Sequence, residues 1–271
     1  MLRCLLIGAF FFTMTPLLLA VQWLLDKLNL PGWGAVATPY YRVLCWLLRI
    51  RIRVIGRPVR DRAVLFVSNH LSWADILVIG ALGPVAFVAK REVADWPLVG
   101  VCARLQRTVF VDRTRRHQTG EAIGAIVQRL IGGTSVVLFA EGTSSDGNRV
   151  LPFRSALVGA LDEAAAHGGG IIQVQPMSIG YTGQRGIPMG RQNRPLVAWY
   201  GDLDFMPHFK TFCARGAVDA VVSFGKPIAA DGAADRKAMT KRLESDVRAL
   251  NAEILRGRPR PTHAGPVLKT S

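Results

Sequence analysis

A histidine and an aspartate, His70 and Asp75, stand five residues apart just after the apolar run 63–67. The run predicts a buried strand, so both side chains lie where a strand exits into a turn, a common place for site residues. A carboxylate bonded to one imidazole nitrogen fixes the tautomer and leaves the other nitrogen free to take a proton. The pair therefore predicts a general base, His70, with Asp75 as its orienting partner.

Three later segments, residues 107–113, 139–143 and 174–179, also end predicted strands or lie within one. In a parallel sheet, residues 69–75 and the first two of these segments would converge on one edge. Alone, the His–Asp spacing arises by chance in roughly a quarter of random chains of this composition. The ordered set of four segments, rather than the single pair, therefore favours a functional site at that edge.

These four segments resemble the motifs of the glycerolipid acyltransferase family, which run NHxxxxD, GxxFxxR, EGTR and VxPxxI over about residues 60–180 here. The family contains the bacterial 1-acyl-sn-glycerol-3-phosphate acyltransferases. The resemblance implies a membrane-associated O-acyltransferase of phospholipid biosynthesis. It would move a fatty acyl group from acyl-ACP (acyl carrier protein) or acyl-CoA to the free hydroxyl of a lysolipid. The default acceptor is lysophosphatidic acid, which gives phosphatidic acid, and no cofactor is implied beyond the thioester co-substrate.

Two positions depart from the family's motifs. Arg107 stands where the second motif has glycine, and Ser144 stands where the third has arginine. In the family both motifs are implicated in holding the phosphate of the acceptor, and Arg113 matches the second-motif arginine. The stretch 141–154 is more similar to a branch that includes lyso-ornithine lipid acyltransferases, so that lipid is the alternative acceptor.

The resemblance assigns catalysis to His70 and Asp75. The predicted substrate-binding residues lie in or beside the motifs and are Asn69, Arg113, Glu141, Gly142, Thr143, Arg149 and Arg154. Arg107, Arg149 and Arg154 could replace the missing third-motif arginine, because guanidinium groups bind phosphate or carboxylate bidentately. Glu141 would accept hydrogen bonds from acceptor hydroxyls or brace its loop, and Gly142 would let the backbone approach a ligand closely.

Acyl transfer from a thioester to an alcohol needs a base for the hydroxyl, and neutral imidazole suits that task. The thiolate leaves without a strong acid, so no covalent nucleophile is required. The sequence offers no Gly-x-Ser-x-Gly elbow and no cysteine paired with a histidine. We therefore expect direct attack in a ternary complex. The four cysteines are too widely spaced to predict a zinc or redox pair, and we expect no metal site.

The stretch from Cys4 to Leu25 is 22 residues without a charge, long enough to cross a hydrocarbon core. A cleaved signal peptide is the alternative, although the apolar region is overlong and has no Ala-x-Ala site. Pro16 lies in mid-segment, so a kinked or re-entrant helix pair stays open beside a single spanning helix. Seven arginines against Asp61 alone over residues 42–62 place the body on the cytoplasmic side of a bacterial-type inner membrane.

A net charge of +15 draws the chain to anionic surfaces. A nucleic-acid binder is one alternative, but no zinc finger, RRM or basic zipper is recognisable, so we expect no nucleic-acid partner. A non-enzymatic lipid-binding membrane protein is the other alternative. The lipid bilayer, the lysolipid acceptor and the acyl thioester are the expected partners, and the acidic acyl carrier protein and the coenzyme A phosphates both suit a basic surface.

Beyond residue 50, short apolar runs alternate with helix-length stretches, which predicts an α/β domain with a mixed, largely parallel sheet flanked by helices. The expected strands are 51–55, 63–67, 85–89, 108–111, 135–139, 172–181 and 217–224. The expected helices are 73–82, 97–105, 116–131, 154–167 and 234–256, and 183–195 is expected to be a long loop. The predicted parts are a membrane-anchoring helix (1–30), a basic amphipathic interface segment (31–60), the acyltransferase domain (61–256) and a flexible basic tail (257–271).

Overall fold

The computed structural model describes residues 2–28, 33–96, 99–112, 118–155, 172–230 and 235–257. The helices are α1 (Leu2–Lys27), α2 (Trp33–Leu47), α3 (Ala74–Gly80), α4 (Val99–Leu105), α5 (Gln118–Ile131), α6 (Phe205–Arg215) and α7 (Arg236–Arg256). The strands are β1 (Ile50–Ile55), β2 (Val64–Ser68), β3 (Ala86–Lys90), β4 (Val109–Val111), β5 (Val136–Phe139), β6 (Ile172–Gln184), β7 (Ile187–Pro188), β8 (Val218–Phe224) and β9 (Ile228–Ala230).

The strands form one sheet, whose main path runs β1-β8-β6-β2-β5-β3-β4, with β7 and β9 paired to β6. Along this path every neighbouring pair is parallel except β6 with β8, and β7 and β9 also run antiparallel to β6. The predicted mixed, largely parallel sheet is confirmed. Because β2, β5 and β4 run in the same direction, the residues that follow them meet at one edge, which we name the carboxyl edge.

Helices cover both faces of the sheet because side chains along a strand point alternately to opposite sides. On β2, Val64 and Phe66 pack in the cluster that includes α2, α3 and α6. Leu65 and Val67 pack on the other side, in the cluster that includes α5 and α7. The resulting three layers fully bury β2, whose end leads into the turn that carries the histidine.

Two features of the fold differ from the expectations. The prediction of a loop over 183–195 was wrong at the start of that range. Strand β6 continues to Gln184 because it pairs with the first residues of β8, and β7 then folds back on β6. Helix α6 was not predicted; Pro207 lies in its first turn, where proline is tolerated, and packing of its buried Phe212 stabilises it. The expected helix 154–167 and the tail after Gly257 lie almost wholly outside the described residues.

The N-terminal helix α1 is long and apolar enough to cross a membrane by length and composition, over Cys4–Leu25. Its outward side chains are mostly apolar, including Leu5, Phe12 and Leu17. Its other side packs against the body, where the Thr15 hydroxyl lies 2.6 Å from the Tyr40 hydroxyl of α2. The sheet begins at Ile50, so β1 occupies part of the 31–60 stretch that was expected at the membrane interface.

Arg107 adopts the left-handed backbone conformation, with φ 58°, just after the end of α4. Its N–H donates to the Arg104 carbonyl at 2.9 Å, and the N–H of Thr108 donates to Ala103 at 3.0 Å, which closes the helix end. Glycine adopts this conformation without strain, which gives a physical reason for the glycine of the family's motif. Arg107 also precedes β4, so it lies at the edge opposite the carboxyl edge. It therefore cannot replace the arginine missing at Ser144.

Replacing Arg107 by glycine should stabilise the fold by about 0.5–1 kcal/mol, because the left-handed conformation is strained for a residue with a Cβ atom. The measurement is the midpoint of thermal unfolding in detergent. Arg107→Ala is the matched control, since it also loses the guanidinium but keeps the Cβ atom. An Arg107→Gly protein no more stable than Arg107→Ala would contradict this account.

Candidate active site

Asn69 fixes the chain as it leaves β2 for residues 69–73, which we name the catalytic turn after the predicted role of His70. Its amide nitrogen donates to the Ile179 carbonyl at 2.9 Å, and its oxygen accepts from the Ile179 N–H at 3.0 Å and the Ser178 hydroxyl at 3.1 Å. The side chain is only 1% exposed. Asn69 was expected to bind substrate; in the structure its amide bonds to β6 and positions the turn, and contact with substrate stays a prediction.

Asp75 lies in the first turn of α3 and folds back over residues 70–72. One carboxylate oxygen, Oδ2, accepts from the Leu71 N–H at 2.7 Å and the Ser72 N–H at 3.0 Å. The same oxygen lies 2.8 Å from Nδ1 of His70. Asp75 is 0% exposed, and these hydrogen bonds fix its carboxylate in a single position relative to the imidazole ring.

The His70 ring is held between its aspartate and an aromatic face. It stacks on Phe139, the last residue of β5, with ring centroids 4.1 Å apart. Its side chain is 21% exposed, and among the described residues no hydrogen-bond partner is found for Nε2. With Nδ1 directed to Asp75, Nε2 is the nitrogen that can take a proton from a ligand.

Tyr181 completes the environment of Asp75, and sequence reasoning missed it. Its hydroxyl donates to Oδ1 of Asp75 at 2.8 Å from the far end of β6. Burial, with the nearby Asp75 charge, raises the pKa of the phenol well above its usual value, so the group stays a donor. Tyr181 is the one aromatic residue of β6, which was the available signal, but only the pairing of β6 with β2 brings it to Asp75.

Glu141 braces the loop that follows β5. Its Oε1 accepts from the Leu151 N–H at 3.1 Å, whereas Oε2 is buried without a hydrogen-bond partner among the described residues. The residue is 2% exposed. Burial raises the pKa of this carboxyl to about 8; the backbone N–H groups of Leu151 and His70 oppose the rise, and the charge of Asp75 adds to it. The protonated form is therefore well populated at neutral pH.

The loop 142–150 is held against the catalytic turn by its ends and by one internal contact. The Arg154 N–H donates to the Ala140 carbonyl at 2.8 Å, which closes the base of the loop. Within it, the Ser145 N–H donates to the carbonyl of His70 at 2.9 Å. Loop residues therefore lie beside the histidine at the carboxyl edge.

The other predicted binding residues on this segment differ in their surroundings. Gly142 has φ 71°, a backbone conformation that is strained for other residues, and a Cβ atom there would also displace the Arg154 side chain, which would lie 2.9 Å away. Thr143, Arg149 and Arg154 are exposed. They are available to a ligand at the carboxyl edge, and the Arg154 side chain lies against Gly142. Arg113 lies outside the described residues.

Known proteins match the chain over most of its length. The family named Acyltransferase matches residues 51–180. The lyso-ornithine lipid O-acyltransferase of Brucella abortus is 45% identical over 262 residues, which cover 96% of this chain and 98% of that one. The protein of the same name from Rhizobium meliloti is 40% identical over 264 residues, with 97% and 90% covered.

A solved structure shows the same fold. The crystal structure of the 1-acyl-sn-glycerophosphate (LPA) acyltransferase from Thermotoga maritima aligns with a TM-score of 0.67. The alignment covers 98% of this chain and 96% of that one, at 20% identity. The fold, together with relatives that align from end to end, shows that the chain belongs to the glycerolipid acyltransferase family and is an acyltransferase that acts on a lysolipid.

Proposed function

We propose that the protein is a lyso-ornithine lipid O-acyltransferase that uses His70 as its general base. The observation that carries the proposal is the contact of 2.8 Å between Nδ1 of His70 and the buried Asp75 carboxylate, which leaves Nε2 open at the carboxyl edge. The acceptor is taken from the two relatives that align over nearly the whole chain, both named for that lipid.

In the proposed reaction, Nε2 of His70 takes the proton of the acceptor hydroxyl while its oxygen attacks the thioester carbonyl. The carbon–oxygen bond forms, the tetrahedral intermediate collapses, and the carbon–sulfur bond breaks. The thiolate leaves and takes up the proton, which restores neutral imidazole. Asp75 stabilises the imidazolium between these two steps and keeps Nε2 directed at the acceptor. A base placed in this way contributes roughly 10² to 10⁴ in rate.

The donor in this proposal is acyl-ACP or acyl-CoA. No residue of the site needs to carry the acyl group, because a thioester already has a good leaving group. The excess of cations suits either an acidic carrier protein or the phosphates of coenzyme A. Most of the rate enhancement would then come from holding the two substrates together at the carboxyl edge.

Lysophosphatidic acid is the second candidate acceptor, the default that the family resemblance implies. The exposed guanidinium groups of Arg149 and Arg154, on the segment beside His70, favour it because they could hold a phosphate. Ser144 favours the first candidate, because it removes the cation that the family's third motif supplies at that position.

We also propose that α1 and α2 anchor the protein at the cytoplasmic face of the inner membrane. The apolar outer surface of α1, with Leu5 at 69% and Phe12 at 71% exposure, supports burial in lipid. Buried residues occur along much of α1, at Ile7, Thr15 and Gln22, where it packs on the protein. This packing favours a helix pair inserted from one side over a helix that crosses the bilayer alone.

Substituting His70 by alanine should lower kcat by about 10² to 10⁴, because the hydroxyl loses its base. The assay follows labelled acyl transfer from a thioester to the lysolipid. His208→Asn is the control; its oxygen can replace the His208 nitrogen that accepts from the Trp73 indole at 3.1 Å. A folded His70→Ala protein with most of its activity would exclude the mechanism.

Offered lyso-ornithine lipid and lysophosphatidic acid side by side, the purified protein should use the first with a kcat/KM about tenfold higher or more. The His70→Ala protein, purified in the same way, is the control for transfer by contaminating enzymes. Equal use, or a preference for lysophosphatidic acid, would reject the proposed acceptor and restore the default.

Stability should fall as pH rises from about 4.5 to about 8, since the unfolded chain ionises Glu141 in this range and the fold keeps it protonated. Glu141→Gln cannot ionise and keeps an acceptor for Leu151, so it should unfold at a higher temperature than wild type at pH 8 and at a similar one at pH 5. The effect is on the order of 4 kcal/mol at most. Exposed Glu121→Gln is the control; parallel pH profiles for wild type and Glu141→Gln would contradict the buried protonated form.

A further inference from the structure

Two loops, one carrying Asp146 and the other Arg194, are tied to the catalytic turn. The first is the loop 142–150, whose Ser145 N–H donates to the carbonyl of His70 at 2.9 Å. The second is the segment 194–199, whose Trp199 N–H donates to the carbonyl of Leu71 at 2.8 Å. The backbone of both loops is thus held by the histidine and its neighbour.

Asp146 on the first loop and Arg194 on the second both bond to Asn148, and the first loop also carries the exposed Arg149. Arg194 donates from Nη1 to the side-chain oxygen of Asn148 at 3.2 Å, which brings the two loops together. Burial and the nearby charge of Arg191 lower the pKa of the Arg194 guanidinium, and the charge of Asp146 acts in the opposite direction. Gly147 packs between Leu71 of the turn and Arg194, since a Cβ atom on Gly147 would lie 2.9 Å from Leu71 and 3.5 Å from Arg194.

Both groups keep bonding capacity that the fold does not use. Within the part of the chain that the structure describes, Asp146 accepts from Asn148 alone, through its backbone N–H at 3.0 Å and its side-chain nitrogen at 3.1 Å, and each carboxylate oxygen can accept more. The Nε of Arg194 is buried and has no hydrogen-bond partner among the described residues. Both side chains are half-buried, so a ligand could reach them in a partly desolvated setting.

This arrangement matches the charge of one candidate acceptor better than the other. An ornithine lipid acylated on its α-amino group carries one ammonium and one carboxylate. A phosphate monoester carries about −1.5 to −2 charge at pH 7. With Ser144 in place of a cation and Asp146 two residues later, the loop is less positive than the family's motif and offers a carboxylate that would repel phosphate.

We propose that Asp146 and Arg194 form a binding subsite for a zwitterionic amino-acid headgroup, in which Asp146 holds the ammonium and Arg194 holds the carboxylate. The proposal rests on the proposed acceptor and adds the residues that select it. The subsite orients the headgroup so that the acceptor hydroxyl reaches Nε2 of His70. Discrimination against a lysolipid phosphate then comes from the repulsion by Asp146 as well as from the absent arginine at position 144.

The test pairs one substitution with one change in the lipid. Asp146→Asn keeps an oxygen for the Asn148 N–H and removes the charge. Wild type should use lyso-ornithine lipid with a KM about tenfold or more below that for the same lipid with its side-chain amine acetylated. Asp146→Asn should raise the KM for the free amine to the acetylated level, with kcat within about twofold. Transfer to lysophosphatidic acid should rise.

Arg194→Gln gives the second arm, with the methyl ester of the lipid in place of the acetylated form. The glutamine keeps a donor for Asn148 but removes the positive charge. The KM of this variant should therefore no longer differ between the lipid with a free carboxylate and its methyl ester. Exposed Asp202→Asn is the matched control and should behave as wild type.

The outcomes separate the two proposals. If wild type fails to acylate lyso-ornithine lipid, both the proposed acceptor and the subsite are wrong. If wild type is active and Asp146→Asn still discriminates between the free and acetylated amines, the subsite alone is wrong. An equal loss on all three acceptors would also overturn it, since that would show only that Asp146 shapes the loop.

Discussion

The Asp75 carboxylate is buried without any exposed surface, and a buried charge is tolerated only where hydrogen bonds satisfy it. Its donors come from the turn after β2 and from β6, whose Tyr181 reaches it across the strand pairing. Satisfying this one group therefore requires the turn, helix α3 and strand β6 to take a single relative arrangement. The orientation of the His70 ring is a consequence of that arrangement.

The mixed sheet makes this possible. Parallel pairing of β6 with β2 sets Ser68 opposite Met177, so the chain after β2 emerges beside residues 178–181. Asn69 then joins the turn to β6, and Tyr181 reaches Asp75 from the same strand. Antiparallel pairing with β8 buries the far end of β6, where a hydroxyl bonded to a charge is protected from water.

In the proposed function, the loop after β5 carries the choice of acceptor, and the residues around Asp75 carry the chemistry that the family would share. Its base is closed by Glu141 and Arg154, and one N–H attaches it to His70, so the loop has a defined place beside the base. Residues 144–149 can then vary in charge without disturbing Asp75 or β6. A family that acylates lipid hydroxyls with one base could in this way serve headgroups of different charge.

The sequence by itself determined the acyltransferase family through its ordered segments, and the apolar runs predicted most strands to within a residue or two. His70 and Asp75 also predicted a general base at a strand exit. These are local features, carried by residue type, periodicity and short spacing. The tertiary structure decided what depends on contacts between distant segments. It brought the Tyr181 hydroxyl to Asp75 and bonded the Asn69 amide to β6. It also extended β6 into the range expected to be a loop, and it placed Arg107 at the edge of the sheet opposite the site. Each of these follows from strand order and direction, and the pairing of strands more than 100 residues apart, such as β2 with β6, has no local signal.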